Sequence, residues 1–177
     1  MSILKWLGLT STKSDDAPAD TRSVREIVDR LESLEPQRAR HIASFAYILG
    51  RVANADLEIS REETRAMERL VRDHGDLDEE QAILVVQIAK SQNRLAGGTE
   101  DYLVTRQFKE LTDPDQRLKL LDCLFAISAA DESVSSPEEA LIRQVAHELG
   151  LSHQQFVAAR APYSDRRDVI KLTRETS

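Results

Sequence analysis

Four carboxylates in this sequence stand at spacings that suit a hard cation: Asp56 with Glu63, and Asp131 with Glu138. Each pair sits in the same local string, Ala55-Asp56-Leu57-Glu58-Ile59-Ser60-Arg61-Glu62-Glu63 and Ala130-Asp131-Glu132-Ser133-Val134-Ser135-Ser136-Pro137-Glu138. Both strings read Ala-Asp, two variable residues, Ile or Val, Ser, two more, then Glu, and the two Asp stand 75 residues apart. If the Asp follows one helix and the Glu lies in the first turn of the next, the turn brings the carboxylates together. Such oxygen donors suit Ca²⁺, Mg²⁺ or Mn²⁺ and not a tight Zn²⁺ site. Two carboxylates with main-chain oxygens make a modest site, weaker than about micromolar. The loop is not an EF-hand, whose closing Glu is the twelfth loop residue, because Glu63 is the eighth counting from Asp56.

The same residues have a second reading. Ser60 with Glu63, and Ser135 with Glu138, are Ser-x-x-Glu capping boxes in which each side chain satisfies a backbone N–H at a helix start. Pro137 is tolerated in a first turn, and Ile59 and Val134 precede the caps where an apolar residue can staple onto the new helix. Each cap contributes roughly 1 kcal/mol. Capping alone, or capping plus cation binding, accounts for the strings.

The elements that must hold these corners are helical. Aromatics are 5%, and there are only 6 Gly and 5 Pro, in a chain rich in Ala, Leu, Glu, Gln and Arg. There is no period-two alternation with hairpin turns and no glycine-rich phosphate loop. Val24, Ile27, Val28 and Leu31 mark one helical face, and Pro36 opens a second helix with Ile42, Phe45, Leu49 and Val52 inward. A third runs from Arg61 with Met67, Leu70 and Val71 inward, and Gly75 is expected to close it in the left-handed conformation. Asp78 with Gln81 caps a helix whose Ala82–Ala89 run is apolar almost all round, so that helix is expected in the middle of the domain.

Beyond Gly97-Gly98, Thr99 can start a helix presenting Val104, Phe108 and Leu111. Asp113-Pro114-Asp115-Gln116 then starts another, carrying Leu120, Leu121, Leu124, Phe125 and Ile127. A seventh follows the second acidic string and closes at Gly150. Ser152 and Gln155 cap a last short helix bearing Phe156 and Val157 and ended by Pro162. The 75-residue correspondence extends to Leu49 with Leu124, Val52 with Ile127, Met67 with Ile142, Leu70 with Val145 and Gly75 with Gly150. The expected fold is an all-α bundle of seven to eight helices with an internal pseudo-two-fold duplication. It occupies 21–163, with halves about 36–92 and 99–160, between an amphipathic segment and linker over 1–20 and a tail over 164–177.

A formal net charge of -7 argues against a general nucleic-acid surface and for cations or basic partners. The single Cys123 excludes an internal disulfide. No apolar run approaches a membrane span. Ile3, Leu4, Trp6 and Leu7 form a short amphipathic stretch, too short and too weakly basic for a secretory signal. It is expected to dock on the body or to make weak, reversible membrane contact. A cytoplasmic location is expected.

The two Ala-Asp-x-x-(Ile/Val)-Ser-x-x-Glu strings each follow an apolar helix and lead into a helix ended by Gly, with Leu151 and Ser152 after the second. In this the chain resembles, over about residues 22–160, the TerB-like family of tellurite-resistance-associated helical domains. It is also similar to the N-terminal region of some membrane-anchored DnaJ-like co-chaperones. The resemblance implies an all-α, internally duplicated cytoplasmic domain, linked to tellurite and other stress resistance. It also implies acidic surfaces that bind divalent cations, and membrane-associated protein partners. Carried over, the cation ligands are Asp56 and Glu63 in the first half and Asp131 and Glu138 in the second. One departure is that the family often has Gly directly after the Asp, whereas Leu57 and Glu132 stand here and would strain a turn of positive φ.

The remaining polar residues offer less. His41, His74, His147 and His153 are scattered, with His74 and His147 near helix C-termini where a cation favours the dipole. Cys123 lies in an apolar helix and is read as core. Asp73, Asp76, Asp78, Glu79 and Glu80 are read as a solvated helix start. The expectation is a non-enzymatic binding module with weak cation sites and a protein partner. A scaffold domain without metal is the alternative, and a metal-assisted hydrolase is disfavoured because nucleophile, base and open metal position do not assemble.

Overall fold

Asp113 and Ser135 open their helices as the capping chemistry requires. In the computed structural model, residues 19–53, 61–92, 101–130 and 134–175 are described, with side chains over 25–53, 61–90, 102–130 and 134–164. Among the described residues there are eight helices and no strand: α1 Ala19–Glu32, α2 Pro36–Ala53, α3 Arg61–Gly75, α4 Glu79–Gln92, α5 Asp101–Leu111, α6 Pro114–Ser128, α7 Ser136–Glu148 and α8 His153–Glu175. Asp56, Asp131, Ser60, Thr99 and the amphipathic stretch over 1–9 lie outside the described residues.

The caps explain most of the starts. Asp113 and Gln116 form a reciprocal box at α6, and Ser135 with Glu138 does so at α7. Ser152 with Gln155 repeats the exchange at α8, amide to side chain at 2.8 and 3.2 Å. At α4, Asp78 accepts the Gln81 N–H at 2.8 Å, but the Gln81 side chain turns instead to Arg38 on α2. At α2, ahead of Pro36, Glu35 accepts the N–H groups of Gln37 and Arg38 at 3.2 and 3.1 Å.

The core is built around α2. Ile42, Ala43, Phe45, Ala46, Ile48 and Leu49 on it are essentially inaccessible, and it packs against α1, α4, α5, α6 and α7. Helix α4 lies against α2 and α3 with Val85 and Val86 fully buried. Helix α6 buries Leu120, Leu121, Leu124 and Phe125 among α2, α3, α7 and α8. The two helix–corner–helix spans keep the 75-residue register: α2 ends at Ala53 and α6 at Ser128, and α3 starts at Arg61 and α7 at Ser136. The second helix of each half packs on the first helix of the other, α3 on α6 and α7 on α2.

Some expectations are corrected. Gly75 does not take the left-handed position; Asp76 does, with φ 57. Gly75 is needed for close approach, since a Cβ there would stand 3.0 Å from Cζ of the buried Phe45. Gly150 does adopt the left-handed conformation, at φ 74.

Pro162 does not end the last helix, which continues to Glu175 with Pro162 inside it. An interior Pro costs about 3 kcal/mol in helix propensity. Tyr163 offsets this by stacking on Phe125 at 5.9 Å between centroids and donating its hydroxyl to Asp122 at 2.9 Å. Val157 faces solvent at 45% exposure, beside the buried Phe156. On α3 only Val71 and Gly75 are buried, while Met67 and Leu70 are half-buried.

Candidate functional site

The second acidic corner begins where α6 frays into a turn, with the Ala129 N–H on Phe125 O at 2.9 Å and the Ala130 N–H on Ile127 O at 3.1 Å. Beyond the corner Val134 is buried at 6% exposure, the staple expected before the cap. Ser135 is extended at φ -69 and ψ 157, and its hydroxyl accepts the Glu138 N–H at 3.3 Å. The Glu138 carboxylate accepts the Ser135 N–H through Oε2 at 2.8 Å. That bond pins the carboxylate against the backbone four residues after Asp131 and uses one of its two oxygens. Pro137 sits in the first turn, as expected.

The neighbouring Glu139 is occupied differently. Arg143 donates to its Oε1 at 3.1 Å, and Arg160 of α8 lies 3.1 Å from its Oε2. The Arg143 guanidinium also lies over the Phe156 ring, 4.8 Å from its centroid. A shallow cleft beside this ion cluster is lined by Phe125, Val134, Glu139, Arg160, Tyr163 and Ser164.

At the first corner, Glu62 and Glu63 occupy the first turn of α3, both exposed, where carboxylates favour the helix dipole. Thr64 accepts a bond from Lys90 Nζ of α4 at 3.0 Å, tying that turn to its neighbour. Both expected Glu ligands therefore stand where the spacing placed them, while Asp56 and Asp131 lie outside the described residues. Among the described residues, no three His, Cys, Asp or Glu side chains converge on a common point. The donor set fits at most a weak oxygen-ligated site, with Glu63 or Glu138 as its described member.

Two polar clusters escaped the sequence reading. The first is His74 on α3, whose Nδ1 lies 2.5 Å from Oδ2 of Asp122 on α6. The Tyr163 hydroxyl donates to the other oxygen of that carboxylate, so three helices meet at one group. The second is Arg51 at the end of α2, which forks onto Glu148 of α7 and also reaches Thr105 of α5 at 3.3 Å. Burial would raise the Glu148 carboxyl, but bonds from Arg51, Gln144 and Thr105 hold it below its usual range. Neither link has a short-range signature, since the partners are 48 and 97 residues apart.

The candidate nucleophiles and bases are enclosed. Cys123 is fully buried, as the sequence predicts, and desolvation beside Asp122 pushes its thiol far up, away from thiolate. His41 is buried between Phe45 and Phe108, with ring centroids at 6.3 and 5.3 Å. Desolvation, with the Arg38 charge nearby, lowers its pKa to about 4, so it is neutral at physiological pH. The buried Ser44 hydroxyl donates to the carbonyls of Arg40 and His41, at 2.7 and 3.1 Å.

No curated protein and no solved structure matches the chain. A family model described as tellurite resistance protein TerB matches residues 41–161, from the first turns of α2 into α8. That interval spans both acidic corners and the helices packed around them, more than half of the chain. The chain therefore belongs to the TerB family, a tellurite-resistance-associated group.

Proposed function

We propose that this TerB-family domain is a non-enzymatic binding module, in which the acidic corners are weak divalent-cation sites and an outer surface engages a protein partner. The observation that carries the cation half is the Ser135–Glu138 exchange. It holds the Glu138 carboxylate at the start of α7 through Oε2 alone, which supports a role for the other oxygen as a cation ligand. Asp56 with Glu63 forms the equivalent pair at the first corner. Ca²⁺, Mg²⁺ or Mn²⁺ would be held by these oxygens and would tie each corner across its helix junction. Absence of catalysis is supported by the enclosure of Cys123 and His41. It is supported also by the third member of the His74–Asp122 group, a phenol that donates to the carboxylate instead of an activated nucleophile. A cytoplasmic setting with a membrane-associated partner follows from the family resemblance.

Calorimetric titration with each cation tests this reading. Heats are expected for the wild type and are expected to vanish in Asp131→Asn combined with Glu138→Gln. Absence of binding at millimolar cation would sink it. The second reading, a scaffold whose corners only cap helices, is favoured by the same exchange, because the Glu138 Oε2 already has its amide partner.

A further inference from the structure

We infer that the solvent face of α3 is a docking stripe for an acidic helical segment of a partner protein, read by Arg61, Arg65, Arg69 and Arg72. This rests on the binding-module reading and names the chemistry of its partner. Spacings of four, four and three place the four side chains within about 80° of the helix circumference, over about 16 Å of its length. All four are exposed. An adjoining side of α3 carries the buried Val71 and Gly75 that hold it to the bundle.

Glu62/Arg65, Arg65/Glu68, Glu68/Arg72 and Arg69/Asp73 set opposite charges at favourable helical spacings, which accounts for the interleaved carboxylates but not for the run of arginines itself. The pairs 61/65, 65/69 and 69/72 set like charges at the spacings where they repel on a helix. Arg61 also opens the helix, where a cation opposes the dipole. Among the described residues the ion pair seen on the stripe is Arg72 with its neighbour Asp73, at 3.0 Å. In a chain of net charge -7 this stripe sets four arginines along one face. The positions 75 residues later on α7 are Ser136, Ala140, Gln144 and His147, so the stripe belongs to α3 and not to the repeated unit.

The shape of the stripe selects the partner. Glu62 and Asp73 flank one edge and Glu68 the other, all within about 60° of an arginine. A broad anionic surface such as a duplex or a charged bilayer would press on those carboxylates. A narrow rod with its acids on one side can centre on the arginines between those edges. The planar guanidinium fork pairs with a carboxylate through two parallel bonds, so arginine suits this recognition better than lysine.

The test is fluorescence anisotropy on the full chain with a labelled helical peptide about four turns long, carrying Glu at the same four-four-three spacing. The wild type is expected to bind it with an affinity that falls as salt rises. Arg65→Gln with Arg69→Gln is expected to weaken binding about tenfold or more. The exposed control Arg106→Gln on α5, and a peptide isomer with its Glu spread round the helix, should respectively leave binding unchanged and bind less. The thermal midpoint of the double variant should stay close to the wild type, since repulsive and attractive surface pairs are removed together.

Equal binding by the double variant overturns the inference, as does no binding by the wild type. So does tighter binding of a DNA duplex, or of phosphatidylcholine vesicles with about one quarter phosphatidylserine. Cation titration of the same proteins separates the two claims. Cation heats with arginine-independent peptide binding remove the stripe and leave the corners. Arginine-dependent peptide binding without cation heats does the reverse.

Discussion

Arg51 and Glu148, 97 residues apart, close on each other inside the bundle with Nη1 on Oε2 at 2.9 Å and Nη2 on Oε1 at 3.3 Å. Their side chains are only 9% and 8% exposed. The pair joins the last turn of α2 to the last turn of α7, where a cation faces one helix C-terminus and Gln144 and Thr105 share the remaining bonding capacity. It therefore fixes how the two helix–corner–helix spans sit against each other.

Removing one partner leaves the other charge buried. Glu148→Ala is expected to cost about 3–5 kcal/mol in urea unfolding. Because the Glu148 pKa is depressed in the folded state, its contribution is complete above the ordinary carboxyl value of 4.5 and is lost as pH falls through the lower folded value. Glu148→Gln should therefore flatten the acid limb of the stability curve below about pH 4.5. An unchanged limb would show that the pair does not couple to folding.

His41 acts in a higher window with the same sign. Its pKa is about 4 in the fold against 6.5 for the free side chain, so the unfolded chain takes the proton first. Stability is complete above pH 6.5 and declines toward pH 4, by something on the order of 2–3 kcal/mol. His41→Leu, filling the space between Phe45 and Phe108, should remove that slope. Unfolding midpoints across the window check it.

How much of this was legible in the residues depends on range. The capping signals at Asp113, Ser135 and Ser152 act within one turn, and each stands in the structure where its spacing placed it. The first-turn positions of Glu63 and Glu138 follow from the same local rule. The choice of α2 as the most enclosed element was hidden, because buried His41, Ser44 and Gly50 broke the apolar pattern that made α4 look central. Tertiary pairs such as His74 with Asp122 leave no trace in local spacing. Pro162 misled because the stacking of Tyr163 on Phe125 overrides a propensity penalty that the sequence states plainly.

The Gly75–Asp76 junction separates two reasons for using glycine. Gly75→Ala would place a Cβ 3.0 Å from Phe45 Cζ, and Phe45 is held edge-on by Phe108 at 6.2 Å, so it has little room to yield. A loss of about 1–3 kcal/mol is expected from overpacking. Asp76→Gly relieves a left-handed side chain at φ 57, at the expense of a solvent-exposed bond from Lys119. It should leave stability unchanged or raise it. Thermal melts of both variants decide, and a destabilised Asp76→Gly would mean that the Lys119 contact outweighs the backbone.

The corner itself can be divided into cap and ligand with two substitutions. Ser135→Ala removes the acceptor for the Glu138 N–H and should cost about 1 kcal/mol in stability. It leaves both acidic side chains in place, so any cation heat should survive it. Glu138→Gln keeps a side-chain oxygen to accept the Ser135 N–H, now 2.8 Å from Oε2, and so should hold stability within about 0.5 kcal/mol. It removes the negative charge a hard cation needs, so cation heat should fall. Opposite movement of the two observables, stability lost in one variant and affinity in the other, is the result a dual-purpose corner requires. Joint loss of stability with no cation effect in either variant would reduce the acidic string to a helix start.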